Sequence, residues 1–309
     1  MSACFLPVLT AITCGGLLFA PSARGQTGRH AFPFSDYLVA PLRVHLLSAK
    51  AAPAIHTTLE EKDITRILGK VNGVWAQAGL HFYLESLVRE EAEHSERFSP
   101  PGESADRTGL LELRPPQSKA TNLFHIYYVK KMSVNGICFG DAIFVKDTAS
   151  LREVPGGIDE PIPRVSSHEL GHAFSLPHRQ DTTNLMASGT TGTWLNEVEI
   201  AQARQAARKF HQIESAPELL KRANALFRAN KRREAAVLYE RLATMPLNAA
   251  EVALAKKRVA RATRISPTRT QRRRERGDAR RRERGATATL ERGRIGQTLR
   301  LSAASASPR

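Results

Sequence analysis

Val165-Ser166-Ser167-His168-Glu169-Leu170-Gly171-His172-Ala173-Phe174-Ser175-Leu176-Pro177-His178 is the stretch whose reading decides the fold. His168 and His172 lie four residues apart, so on a helix their rings leave one face, about one turn from each other. That separation lets both reach a single ion through Zn–N bonds of about 2.0–2.1 Å. Glu169 is rotated by about 100° around the helix axis. It misses the metal but reaches a water on it. His178, ten residues after His168, supplies a third ligand if the helix ends and the chain turns back, and Pro177 helps to stop the helix there. Three protein ligands and one open position define a catalytic zinc site. Ser166 and Glu169 also fit a helix-capping box. Asp159 followed by Pro161 and Pro163 offers an earlier helix start, which would put Glu169 inside the helix.

The pattern H-E-x-x-H-x-x-x-x-x-H at 168–178 resembles the metzincin clan of zinc metallopeptidases, in a matrixin-like form with no branch assigned. Asn184-Leu185-Met186-Ala187-Ser188 resembles that clan's Met-turn, in which the methionine, here Met186, packs beneath the imidazoles without ligating. The resemblance spans roughly residues 38 to 213. It implies a zinc-dependent endopeptidase acting on protein or peptide substrates, with one catalytic Zn2+ on His168, His172 and His178 and Glu169 as general base. It also implies a mixed twisted sheet, an active-site helix and a small C-terminal subdomain. The antiparallel edge strand that pairs with substrate would be Ala142-Ile143-Phe144-Val145. Two positions depart from the clan. Ser175 stands where a left-handed glycine is usual, a cost of roughly 1 kcal/mol. Ser188 stands where some members carry a tyrosine able to approach the metal, so no Tyr ligand is expected. Glu197 offers a rival third ligand, as in the thermolysin-like clan, but the tenth-position histidine and the downstream Met favour His178.

Outward from this segment the pattern is α/β. Upstream, Leu42–Leu47, Leu80–Val88, Asn122–Val129 and Ala142–Val145 read as strands. Leu59–Gly79 reads as an amphipathic helix with Ile64, Ile67, Val71, Val74 and Trp75 on one face. Downstream, Asn196 opens another helix, and Glu218–Met245 reads as a helical hairpin. The expected organisation is a signal peptide over 1–25, a short linker over 26–37, the zinc peptidase domain over 38–214, an accessory helical segment over 215–262 and a disordered Arg-rich tail over 263–309.

The ends of the chain carry the rest. An apolar run from Phe5 to Ala20, interrupted by Pro7, Gly15 and Gly16, precedes the small residues Ala23 and Gly25. It suits a cleaved secretory signal better than a membrane span. Secretion or an extracytoplasmic location is expected, with no transmembrane span after cleavage. Cys4 and Cys14 fall in this segment, which leaves Cys138 alone and no intrachain disulfide. From Lys256 onward there are 18 Lys/Arg against 4 Asp/Glu, so most of the formal net charge of +16 belongs to the tail. The high isoelectric point therefore gives no reason to read the folded part as a nucleic-acid binder. The tail, with Arg-Arg-Arg-Glu-Arg-Gly at 272–277 and again at 280–285, suits non-specific contact with anionic surfaces. A metzincin-like protein acting mainly as an anionic-polymer binding module through this tail is the alternative reading.

Overall fold

The computed structural model describes residues 32–50, 52–98, 107–120 and 122–263. The signal-peptide segment, most of the linker and the Arg-rich tail from 264 lie outside the described residues. The chain is a mixed α/β fold built on a twisted, mostly parallel sheet. Strands β1 (Leu38–Ser48), β2 (Leu80–Glu91), β3 (Phe124–Val129), β4 (Gly136–Phe139) and β5 (Ala142–Lys146) lie in the order β2-β1-β3-β5-β4. The first four in that order run parallel, and β4 is antiparallel to β5. Two-residue β6 (Glu214–Ser215) adds to the start of β1.

This order corrects the expected substrate edge. Ala142, Ile143, Phe144 and Val145 are all buried, and their strand is paired on both sides. A continuous apolar run of this kind belongs to an interior strand. The antiparallel edge is β4, whose Gly-Ile-Cys-Phe is half-buried and returns into β5 through Gly140, at φ 71°.

Helix α1 (Glu61–Trp75) crosses from β1 to β2 and runs into a 3-10 turn over Ala76–Ala78 that Gly79 closes at φ 61°. Short α2 (Arg107–Glu112) lies between β2 and β3. Helix α3 (Pro161–Ala173) carries His168 and His172, and α4 (Glu197–Ala207) follows the loops after it. Alternation sorts the strands onto two cores. Phe124, Ile126 and Tyr128 face the core under α1 and α3, whereas Tyr127 and Val129 face the opposite layer with Leu113 and Phe144.

The C-terminal part holds the expected helical pair, α5 (Ala216–Arg228) and α6 (Arg232–Ala243), and adds a third helix, α7 (Ala250–Thr263). Leu219, Ala223, Tyr239 and Leu242 pack with Phe34, Tyr37, Val39 and Tyr83. Phe34 and Tyr37 are therefore core residues, although their stretch reads as a linker. Apolar side chains there give the three-helix unit something to cover. Among the described residues no helix is long and apolar enough to cross a membrane.

His81 on β2 is fully buried at this junction, with Nε2 2.9 Å from the Thr244 hydroxyl. Burial holds its imidazole down to about 4, only partly opposed by the Arg241 carbonyl. The unfolded chain takes up this proton below about 6.5 and the folded chain only near 4. The contribution of neutral His81 is thus fully present above pH 6.5 and is lost as pH falls toward 4, at roughly 3 kcal/mol for the whole window. Urea unfolding at neutral and acid pH should show a smaller acid loss for His81→Phe than for wild type. An unchanged acid loss would refute this assignment.

Candidate metal centre

Helix α3 starts with Pro at its first turn and Glu160 as N-cap, so His168 and Glu169 lie well inside it. Ser166 is mid-helix: its hydroxyl bonds back to Ile162 O at 2.9 Å and meets Tyr128 Oη at 3.0 Å, rather than capping. The helix ends in a Schellman motif. Ser175 N–H donates to His172 O and Leu176 N–H to Gly171 O, both at 2.9 Å. Ser175 takes the left-handed position at φ 63°. Gln202 on α4 donates to Ser175 O at 2.6 Å and anchors the turn. The chain then doubles back and presents His178.

The three rings converge. His168 Nδ1–H donates to Leu185 O and His172 Nδ1–H to Leu176 O, each at 2.8 Å. A carbonyl only accepts, so the ring proton of each neutral imidazole sits on Nδ1 and the Nε2 lone pair is free. Those Nε2 atoms point at one another: His172 Nε2 is 3.1 Å from His168 Nε2 and 3.1 Å from His178 Nε2. Burial pushes His168 down to about 3, with Arg164 adding to the effect, and burial also lowers His172. Lone pairs facing each other at this distance repel unless an electron-pair acceptor lies between them. Ligands at a tetrahedral zinc would be about 3.3 Å apart. The donor set fits a metal ion, and these three histidines form a group that could hold one.

Met186, fully buried, packs against the helix from below. A Cβ on Gly171 would lie 2.5 Å from Met186 Sδ, so the glycine between the two helical histidines is the seat for this side chain. Its loop is held by a buried carboxylate. Glu199 accepts from Arg179 Nε at 2.6 Å through one oxygen, and from Asn184 Nδ2 at 2.8 Å and Asn196 N–H at 2.9 Å through the other. Asn184 Oδ1 in turn accepts Met186 N–H at 2.6 Å, and Arg179 N–H donates to Met186 O at 3.0 Å. Glu199 therefore ties α4 to both the residue after the third histidine and the Met186 loop. Reading ligand spacing alone misses Glu199; the signal for it is the capping box Asn196-x-x-Glu199. Glu197, the rival ligand, is exposed in the first turn of α4 and lies outside the histidine group.

Glu169 is 5% exposed, and its carboxyl is pushed up to about 8 by burial, against a lesser pull from Arg164. It faces a cleft of about 440 Å³ shared by the triad and β4. At Gly136 on β4 a Cβ would fall 2.6 Å from Glu169 Oε1 and 2.5 Å from Val165 Cγ1. The edge strand passes so close that only a glycine leaves the carboxylate in place. Gly136→Val should therefore displace Glu169 while sparing the triad: metal content stays at the wild-type level and any hydrolytic activity drops at least about tenfold. Full activity in that variant would show that the contact does not matter. Cys138, half-buried in the same cleft, donates to Gly140 O at 3.4 Å. Burial and the Glu169 carboxylate push its thiol up to about 12, so it is a neutral thiol.

No protein-family model matches the sequence, and no curated protein matches it. Among solved structures, 57% of the chain aligns with 35% of a chain from a chaperone–substrate complex, at 11% identity and TM-score 0.35. The chain thus spans about a third of that relative's length. A further 11% identical match, at TM-score 0.28, is the crystal structure of a zinc-dependent peptidase from Methanocorpusculum labreanum, with 52% of this chain and 92% of that one covered.

Proposed function

We propose that the chain is an exported zinc-dependent endopeptidase acting on proteins or peptides. The observation that carries this reading is the convergence of three imidazole Nε2 atoms beside a buried carboxylate, at an open sheet edge. Zinc held by His168, His172 and His178 would supply a Lewis acid that polarises the scissile carbonyl and makes water acidic. Leu185 O and Leu176 O fix the tautomers of the two helical ligands. The outer edge of β4 has no strand partner among the described residues, so its backbone offers hydrogen bonds to an extended substrate. Glu169, against Gly136 on that strand, takes the proton of the attacking water and passes it to the leaving nitrogen. Export is part of the proposal and rests on the apolar run from Phe5 to Ala20.

Zinc content of the purified full-length protein tests the reading, with His178→Ala alongside. One zinc per chain is expected, lost in the variant, together with chelator-sensitive cleavage of a denatured protein. Zinc retained by His178→Ala would move the third ligand elsewhere. A wild-type protein that takes up no zinc, or takes it up and cleaves nothing, would end the peptidase assignment.

A further inference from the structure

Two cations line the cleft that holds the triad: Arg164, four residues before His168 on α3, and Lys146 at the end of β5. Arg164 is only 2% exposed. A buried guanidinium is ordinarily paired with a carboxylate, because burying an unpaired charge is costly. Arg164 instead has backbone partners. Its Nε donates to Gly192 O at 3.1 Å, and its Nη2 donates to Asn184 O at 3.4 Å and to Ala187 O. No ion pair of Arg164 or Lys146 occurs among the described residues, and Nη1 of Arg164 has no hydrogen bond there. These carbonyls fix the guanidinium without neutralising it. The carboxylate lining the same cleft is Glu169, and the hydrolytic reading already employs it as the base. The remaining walls include the apolar Leu151, Val165 and Ile137.

We infer that this cleft selects a substrate carboxylate, with Arg164 and Lys146 as the specificity-determining pair. The inference rests on the peptidase reading and names its substrate class: peptides bearing an acidic group close to the scissile bond. An Asp or Glu side chain fits, with its stem against Leu151 and Val165 and its carboxylate toward the two cations. The terminal carboxylate of a short peptide offers the same chemistry. Charge-assisted bonds from a guanidinium and an ammonium are about twice as strong as neutral ones, and a dry cleft strengthens them.

The test is binding, followed separately by cleavage. Full-length, zinc-loaded protein is titrated against fluorescent peptides in which the scissile bond is an uncleavable reduced amide. One probe carries Asp beside that bond and an amidated end, a second carries Asn there, and a third is neutral except for a free terminal carboxylate. Tighter binding of the Asp probe than the Asn probe, by about tenfold, is expected. The ratio should shrink as salt rises from roughly 0.05 M to 0.5 M, and Lys146→Glu should abolish it. Arg164 also braces the Met186 loop, so the decisive substitution is Lys146→Glu, at a half-exposed strand end. If the third probe alone shows the preference, the chain end is the source of the carboxylate. Equal affinity for all three probes would overturn the inference. Cleavage of ordinary peptides without acidic preference would sink this inference and leave the peptidase reading intact. Acid-selective binding without cleavage would do the reverse.

Discussion

Glu169→Gln should lower peptide hydrolysis by about 10²- to 10⁴-fold, the range set by the loss of a positioned general base. Metal content should remain that of the wild type. The amide is isosteric, so it keeps the close packing against Gly136 that the carboxylate has now. It cannot accept the proton of the attacking water. Neither ligand contact runs through Glu169: His168 is oriented by Leu185 O and His172 by Leu176 O. Turnover and metal content, measured on the same preparation, separate the two roles. Activity within a few-fold of the wild type would place the proton acceptor elsewhere. Joint loss of metal and activity would mean that the carboxylate serves the ligand set instead.

Glu199→Ala should be strongly destabilising. The residue is fully buried and takes three hydrogen bonds, from Arg179, Asn184 and Asn196. Its loss leaves a buried amide unsatisfied and the Arg179 guanidinium without its carboxylate. Breaking a buried pair from one side costs about 3–5 kcal/mol. The lower end applies, because Arg179 is 39% exposed. The effect extends to the metal. Asn184 holds Met186 and Arg179 follows His178, so zinc affinity should fall about tenfold, as for other partners that orient ligands indirectly. Glu199→Gln keeps one acceptor oxygen and should recover part of both. Thermal unfolding and competitive zinc titration of the two variants give the readouts. An alanine variant as stable as wild type would show that the network carries no energy.

The histidine spacing was legible because helical periodicity is local: residues four apart share a face whatever lies around them. The interior strands were legible for a similar reason, since Phe124–Val129 and Ala142–Lys146 are apolar runs with β-forming side chains. The edge strand was not. Gly136-Ile137-Cys138-Phe139 has no alternation, and which strand lies outermost depends on pairing between distant segments. Helix α7 falls inside the expected helical segment over 215–262, but a hairpin read as ending at Met245 gave it no helix of its own; Lys256, Lys257, Arg258 and Arg261 obscure the buried positions Val252 and Ala255. Lone histidines also hid their environment. His45 and His125, which have no ligand spacing, meet at 2.8 Å inside the sheet layer beside Glu90. Arg164 reads as an ordinary helix residue, and only the folded loop shows which carbonyls hold it.

The packing of the three-helix unit bears on how the protein can be cut. Its helices cover Tyr37 and Val39 at the start of β1 and Tyr83 on β2, and β6 joins the sheet on the way to them. A chain ending at residue 213 would strip that cover and leave a contiguous greasy patch on the very strands that carry the N-terminal sheet. Proteolytic trimming between the two parts should therefore yield an insoluble fragment rather than a smaller folded protein. Trimming that keeps this packing intact has to fall beyond α7 or before Phe32, whose ring lies 4.3 Å from the guanidinium of Arg204.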